Sequence, residues 1–223
     1  DYPSGILTLT AGNAELRISQ SFKNNTMLIE DPKKIIDGIK CRPSWEWVGS
    51  ILAKVDFEAP EMIKEKDVSG WRQACPADPG LSAYCRKKKY GYEISLRLDG
   101  EPLAESNPKD VRSETGKWWK KYWSSVPKIR TPDKFIDEFY RFAMYKFACA
   151  THPEGLACPL QGPWQEEYQL AEWSGDYHFN VNIQQIYALA FSTGRFEHLI
   201  PLFDMIESKP FWKTMKNNAR NLF

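Results

Sequence analysis

Between Tyr177 and Gln184 an imidazole and two carboxamides alternate with apolar side chains: His178, Asn180 and Asn182 against Phe179, Val181 and Ile183. In an extended segment alternate residues share a face. The spacing therefore predicts one polar face and one face anchored in a core. A face built from His178, Asn180 and Asn182 can bind sugar hydroxyls or hold a water. Upstream, Leu160-Gln161-Gly162-Pro163-Trp164 sets a carboxamide beside a glycine that permits close approach, followed by an indole able to cover the C–H face of a sugar. Each residue has a plainer reading as well. His178 can be a structural hydrogen-bonding histidine, Asn180 or Asn182 can cap the following helix, with Asn182 well placed for it, and Trp164 can be a core anchor.

A carboxamide has no useful proton affinity near neutrality, so Asn180 and Asn182 can orient a water but need a carboxylate to take its proton. The nearby carboxylates Glu166, Glu167, Glu172 and Asp176 read as a solvated rim, a cap and a fold-holding bond. None is assigned as a general acid.

The elements around these residues change character near residue 105. Before it, alternating runs at Ile6 to Thr10, Glu15 to Ser19, Met27 to Glu30, Ile51 to Phe57 and Tyr92 to Leu98 are separated by turn residues. Asn24-Asn25, Asp37-Gly38, Pro76 to Gly80 and Asp99-Gly100 supply the turns. That pattern predicts an antiparallel β-sandwich over residues 1–105. After it the apolar period approaches 3.6. An aromatic linker helix is expected over 108–125, inside a linker region 106–130, with Trp118, Trp119, Tyr122 and Trp123 packing between domains.

From 131 to 223 further helices are expected. Thr131 is placed as a cap with Pro132 behind it, and Phe135, Phe139, Phe142 and Phe147 form an apolar stripe. Ile183 to Phe191 forms a helix stopped at Gly194, Phe196 to Glu207 a second bent at Pro201, and Pro210 to Leu222 another.

Lys+Arg 30 against Asp+Glu 29 leaves a net charge of +1, which argues against a polyanion partner; the runs Arg86 to Lys89 and Lys117 to Lys121 read as solvated faces, and no nucleic acid is expected. An aromatic content of 14% suits a sugar-binding surface better, although most such rings belong to cores. No apolar run approaches the ~18 residues of a membrane span. Five cysteines, Cys41, Cys75, Cys85, Cys149 and Cys158, show no C-x-x-C spacing, so no metal site is expected; Cys149 and Cys158 are close enough in sequence for a bridge that geometry would decide.

The two motifs together resemble family 95 glycoside hydrolases, whose typical members are inverting α-L-fucosidases with relatives acting on α-L-galactosides. The family pattern runs approximately L-Q-G-x-W-N, then D-Y-H-T-N-I-N-x-Q; this chain has Leu160 to Gln165, then Asp176 to Gln184. The likeness extends through Trp118 to Trp123, Gly155-Leu156, and Glu197 to Phe203. Departures are Phe179 for the usual Thr, Gln165 for Asn, and Gln185-Ile186-Tyr187-Ala188 where M-N-Y-W is usual.

The resemblance implies a β-sandwich followed by a linker helix and the first helices of an (α/α)6 toroid, an oligosaccharide or glycan substrate, no cofactor, and an extracellular or periplasmic setting. It also implies Asn180 and Asn182 as catalytic residues around an Asn-held water, with His178, Trp164 and Gln161 binding substrate. A six-hairpin toroid needs about twelve helices of ~10–14 residues. The chain, which opens Asp1-Tyr2-Pro3 without an initiator Met, is therefore expected to be part of a longer protein, inactive alone for want of its acid. The alternative is a non-catalytic carbohydrate-binding or scaffold protein of the same fold; a phosphorylase of the toroid class is a remoter one.

Overall fold

The structure is a computed structural model that describes residues 2–76, 78–101, 105–162, 168–170, 172–175 and 177–222. The chain divides into two compact units, one reaching to Ser125 and including Tyr168 and Gln169, the other beginning at Val126.

The first unit is built on seven antiparallel strands: β1 (Leu7–Ala11), β2 (Ala14–Ser21), β3 (Thr26–Glu30), β4 (Glu61–Glu65), β5 (Val68–Gln73), β6 (Leu81–Lys88) and β7 (Gly91–Leu98). They form one sheet in the order β1-β2-β3-β7-β6-β5-β4, with no second sheet among the described residues. Tight two-residue turns join β1 to β2, β4 to β5 and β6 to β7. Gly12, at φ +58, occupies the first position of the β1–β2 turn, where a side chain would be strained. The sequence-distant pairing of β3 with β7, Leu28 opposite Glu93 and Ile29 opposite Tyr92, closes the middle of the sheet and leaves β1 and β4 as its edges. Every residue of β1 is exposed and none is charged, whereas β4 carries Glu61, Lys64 and Glu65.

Ile29, Cys85 and Tyr92 form the core on one side, with Ile18, Ile36 and Ile94 packed against it. Glu93 is 0% exposed and directly opposite Arg86, with which it pairs. It also accepts from the Tyr90 hydroxyl and the Ser106 N–H, each at 3.3 Å. A charge taken out of water is tolerated only when so surrounded. The basic run Arg86 to Lys89 is thus partly structural, since Lys88 in turn pairs with Glu105 at 3.1 Å.

The expected strand at Ile51 to Phe57 is instead the end of a helix, α1 (Trp45–Leu52), followed by a 3-10 turn at Ala53–Val55. Val48 and Gly49 are its buried residues, and a helical spacing that begins at Trp45 overrides the local alternation further on.

Helix α2 (Pro108–Ser125) occupies the expected span. Asn107 caps it by accepting the Lys109 N–H at 2.9 Å, with Pro108 in the first turn. Its buried residues Val111, Thr115, Trp119 and Tyr122 recur at helical spacing, and the Thr115 hydroxyl donates to the Gln20 carbonyl of β2 at 2.8 Å. The aromatic cluster expected between domains packs inside this unit: Trp118 against Phe22 at 5.3 Å, and Trp123 Nε1 donating to the Tyr2 carbonyl at 2.8 Å. At ~25 cal/mol per Å² over ~200 Å², burying a ring the size of Trp119 contributes about 5 kcal/mol before ordering costs.

The second unit is helical: α3 (Lys134–Ala150), α4 (Val181–Thr193), α5 (Ile200–Glu207) and α6 (Lys209–Leu222), with a 3-10 turn at Phe196–Leu199. Asp133, not Thr131, caps α3 by accepting the Phe135 N–H at 2.8 Å; Thr131 instead donates its N–H to Asp137 at 2.8 Å. Of the expected phenylalanine stripe only Phe147 is buried; Phe135, Phe139 and Phe142 are exposed. Gly194 ends α4 at φ +69, as its sequence position implied. Pro201 begins α5 rather than bending a longer helix, because a first-turn proline forfeits no helical bond.

The core joins Phe147, Cys158, Ile183, Tyr187, Ala190, Leu199 and Leu202. His198, 1% exposed, binds the Thr151 carbonyl at 2.8 Å and tethers the end of α3 to the 3-10 turn. None of the five cysteines, all among the described residues, forms a disulfide. No described helix is long and apolar enough to cross a membrane, and no three described His, Cys, Asp or Glu residues gather as a metal-binding group.

Candidate active-site cleft

The turn Pro159 to Gly162 is closed by the Gly162 N–H on the Pro159 carbonyl at 2.9 Å, with Gly162 at φ +66. It presents Leu160 and Gln161. Its position is set one residue earlier, where both backbone polar groups of Cys158 are taken by phenols. The Cys158 N–H donates to the Tyr187 hydroxyl at 3.0 Å, and the Tyr177 hydroxyl donates to the Cys158 carbonyl at 2.6 Å. Tyr187 lies on α4 and Tyr177 just before it, so the two rings clamp the turn to the amino end of that helix. Burial raises both phenols above the usual tyrosine range and pushes the Cys158 thiol up to about 11, so all three stay neutral near pH 7.

The clamp opens a cleft of about 500 Å³ lined by Leu160, Gln161, Glu172, Trp173, His178 and Asn182. Three of the expected site residues, Gln161, His178 and Asn182, thus line one cavity. Asn180 does not line it. It is the N-cap of α4, its carboxamide accepting the Val181 N–H at 2.7 Å. Trp164 lies outside the described residues, as do Gln165 and Asp176.

The expected extended segment is corrected by this geometry: Phe179 and Asn180 form a turn, and Asn182 belongs to the first turn of α4. Nor do the apolar partners all anchor it. Ile183 is buried, but Val181 is exposed and Phe179 rests against Tyr177 and Phe211. A helix amino terminus leaves N–H groups unpaired and carries partial positive charge, so the end of α4 at the cleft favours oxygen-rich or developing negative groups.

Sequence reasoning placed Trp173 at the head of the site stretch without giving it a role, and set Glu172 aside as rim. They sit on a 3-10 turn, Glu172–Gly175, tied to the inner wall by Gln161 Nε2 donating to the Glu172 carbonyl at 3.4 Å. The Trp173 ring meets His178 edge-on, centroids 5.8 Å apart. No local pattern marks them, because both lie outside the alternating run His178–Asn182.

A family model described as the Glycosyl hydrolase family 95 catalytic domain matches residues 92–223, more than half of the chain. The chain belongs to glycosyl hydrolase family 95. The family 95 match takes in β7, α2 and the whole helical unit that holds the cleft. Over 72 residues, 32% of this chain, the sequence is 36% identical to a protein of Aspergillus niger named "Probable alpha-fucosidase A". That stretch spans 9% of the A. niger protein.

Proposed function

We propose that the cleft is part of the sugar site of an inverting, exo-acting glycoside hydrolase that removes a terminal α-L-fucosyl or α-L-galactosyl group. The observation that carries this is the meeting of Gln161, His178 and Asn182 in one cavity at the amino end of α4. Family membership and the name of the A. niger relative support the sugar class.

In this reading the Asn182 carboxamide orients the attacking water, His178 and Gln161 bind sugar hydroxyls, and Trp164 completes the wall. Asn180 acts through its cap, fixing the helix end from which Asn182 projects. Inversion needs a base and an acid ~6.5–9.5 Å apart on opposite faces of the sugar. Glu172, the one carboxylate among the described residues lining the cleft, is exposed and is left at the rim. Acid and base are drawn from elsewhere in the full-length enzyme, and the segment alone is inactive. We also propose the helical unit as the start of an (α/α)6 toroid and the sheet as one layer of a β-sandwich. The exposed faces of Phe135, Phe139, Phe142 and Phe191 support the first, since further helices would cover them.

The test is hydrolysis by the full-length enzyme of an α-L-fucoside and an α-L-galactoside, followed by NMR for the anomer first released. Release of the β-anomer is expected. Retention would refute the water role of Asn182, and sugar binding without turnover would favour a binding protein of the same fold.

A further inference from the structure

The proposed chemistry at Asn182 leaves two features of the Glu172–Gly175 turn unused. Trp173 has φ +55, in the left-handed region that bulky L-residues rarely adopt. Its side chain is also 73% exposed, although a ring of that size ordinarily contributes by being buried. A strained backbone and a solvated indole are each unfavourable, and the described residues leave most of the ring uncovered. Strain of this kind persists where it places a group for use. What the two together achieve here is position: the indole stands in the wall of the cleft, edge-on to His178, with Glu172 its neighbour in that wall.

An aromatic face next to a carboxylate suits a neutral pyranose. The ring covers the C–H face while the carboxylate accepts hydroxyl hydrogens. An acidic sugar would be repelled by Glu172. Gln161 and His178 are half-buried, whereas Glu172, Trp173 and Asn182 are exposed, so Glu172 and Trp173 lie on the open side of the cleft. A volume of about 500 Å³ falls in the range that takes drug-sized ligands, so more than one sugar ring can enter.

We infer that Glu172 and Trp173 form a leaving-group subsite: they receive the neutral sugar from which the terminal residue is cut, while Gln161, His178 and Asn182 hold the terminal residue itself. The inference rests on the reading of the cleft as a glycosidase site. The bond broken is the same glycosidic bond; the subsite adds no chemical step. It makes the enzyme prefer a terminal sugar carried on another sugar to one carried on a small leaving group.

Two substrates separate the subsite from the rest of the cleft in the full-length enzyme: an α-L-fucosyl disaccharide, and α-L-fucosyl fluoride, whose leaving group is a single atom. Trp173→Gly is expected to lower kcat/KM on the disaccharide about tenfold, mainly through KM, and to leave the fluoride within about twofold. Trp173→Phe, which keeps an aromatic face, should retain most of the disaccharide activity. Because only glycine is at ease at this φ, Trp173→Gly should melt above Trp173→Ala. Equal losses on both substrates would overturn the subsite and put Trp173 at the terminal sugar. No loss on either, or a Gly variant melting below Ala, would reduce Trp173 to a structural residue. Failure of the unmodified enzyme on both substrates would remove the glycosidase reading itself, and the subsite with it.

Discussion

Replacing Tyr187 by Phe deletes one oxygen from a core position and leaves the ring. Tyr187 is 2% exposed, and its hydroxyl accepts the buried Cys158 N–H at 3.0 Å. Without it that N–H is left unsatisfied away from water, at a cost of roughly 1–3 kcal/mol. At roughly 2–4 °C per kcal/mol for a chain of this length, the melting temperature should fall by about 2–12 °C. Tyr177→Phe should cost less, under roughly 1.5 kcal/mol, because it orphans a carbonyl rather than an N–H, in a less buried place. The two losses should not add, since both phenols bond the backbone of one residue, Cys158.

Alkaline pH supplies an independent reading. Burial raises the Tyr187 phenol, so the unfolded chain releases this proton near pH 10 while the folded chain keeps it. The stability it contributes is present below about pH 10 and lost as pH rises further, and Tyr187→Phe should remove its share of that slope. Thermal and urea unfolding followed by circular dichroism at pH 7.5 and above pH 10 measures both. A Tyr187→Phe protein that melts within about a degree of the original, with an unchanged alkaline slope, would show that the clamp does not hold the Gln161 turn.

Asn182→Ala in the full-length enzyme should lower kcat by ~10²–10⁴ with little change in melting, whereas Asn180→Ala should lose ~1 kcal/mol of stability as a removed cap; equal kinetic and thermal profiles for the two would refute the division of roles. Burial lowers the proton affinity of His198 and of His152, so the unfolded chain takes up protons near pH 6.5 that the folded chain refuses. Stability is therefore fully present above pH 6.5 and should fall as pH drops below it, a loss that His198→Gln should lessen and that urea midpoints would report. Glu93→Ala should destabilise the sheet unit by roughly 3–5 kcal/mol, through the uncompensated charge of Arg86; a loss below about 1 kcal/mol would show that the pair is effectively solvated.

Much of this arrangement was legible because some spacings survive a change of secondary structure. Residues four apart fall on the same side whether the period is 2 or 3.6, so His178 and Asn182 share the cleft although the segment between them is a turn and a helix start. Asn180, two residues from each, shared the face only under the strand reading and became the cap. Strands β2, β3 and β7 and helices α2, α4 and α6 announced themselves by long runs of one period. Strands β4, β5 and β6 did not. Gly70 stands in β5 where a Cβ would meet the Ala83 carbonyl at 2.1 Å, and paired charges such as Arg86 with Glu93 occupy buried positions, so the alternation is broken. Trp173 and the Cys158 clamp escaped because they depend on chain segments that only the tertiary fold brings together.

The two ends of the sheet differ in what they offer to another chain. The outer side of β4 is guarded by Glu61, Lys64 and Glu65, which would oppose like charges on an incoming strand. β1, Leu-Thr-Leu-Thr-Ala, presents its open row of N–H and C=O groups with no charge, no proline and no bulge to deter pairing. Extension of this sheet is therefore directional. The N–H and C=O groups of β1 that its pairing with β2 leaves over are those of Thr8 and Thr10, with no charged side chain on the strand, and a lysine at either position should make the two ends equally unreceptive.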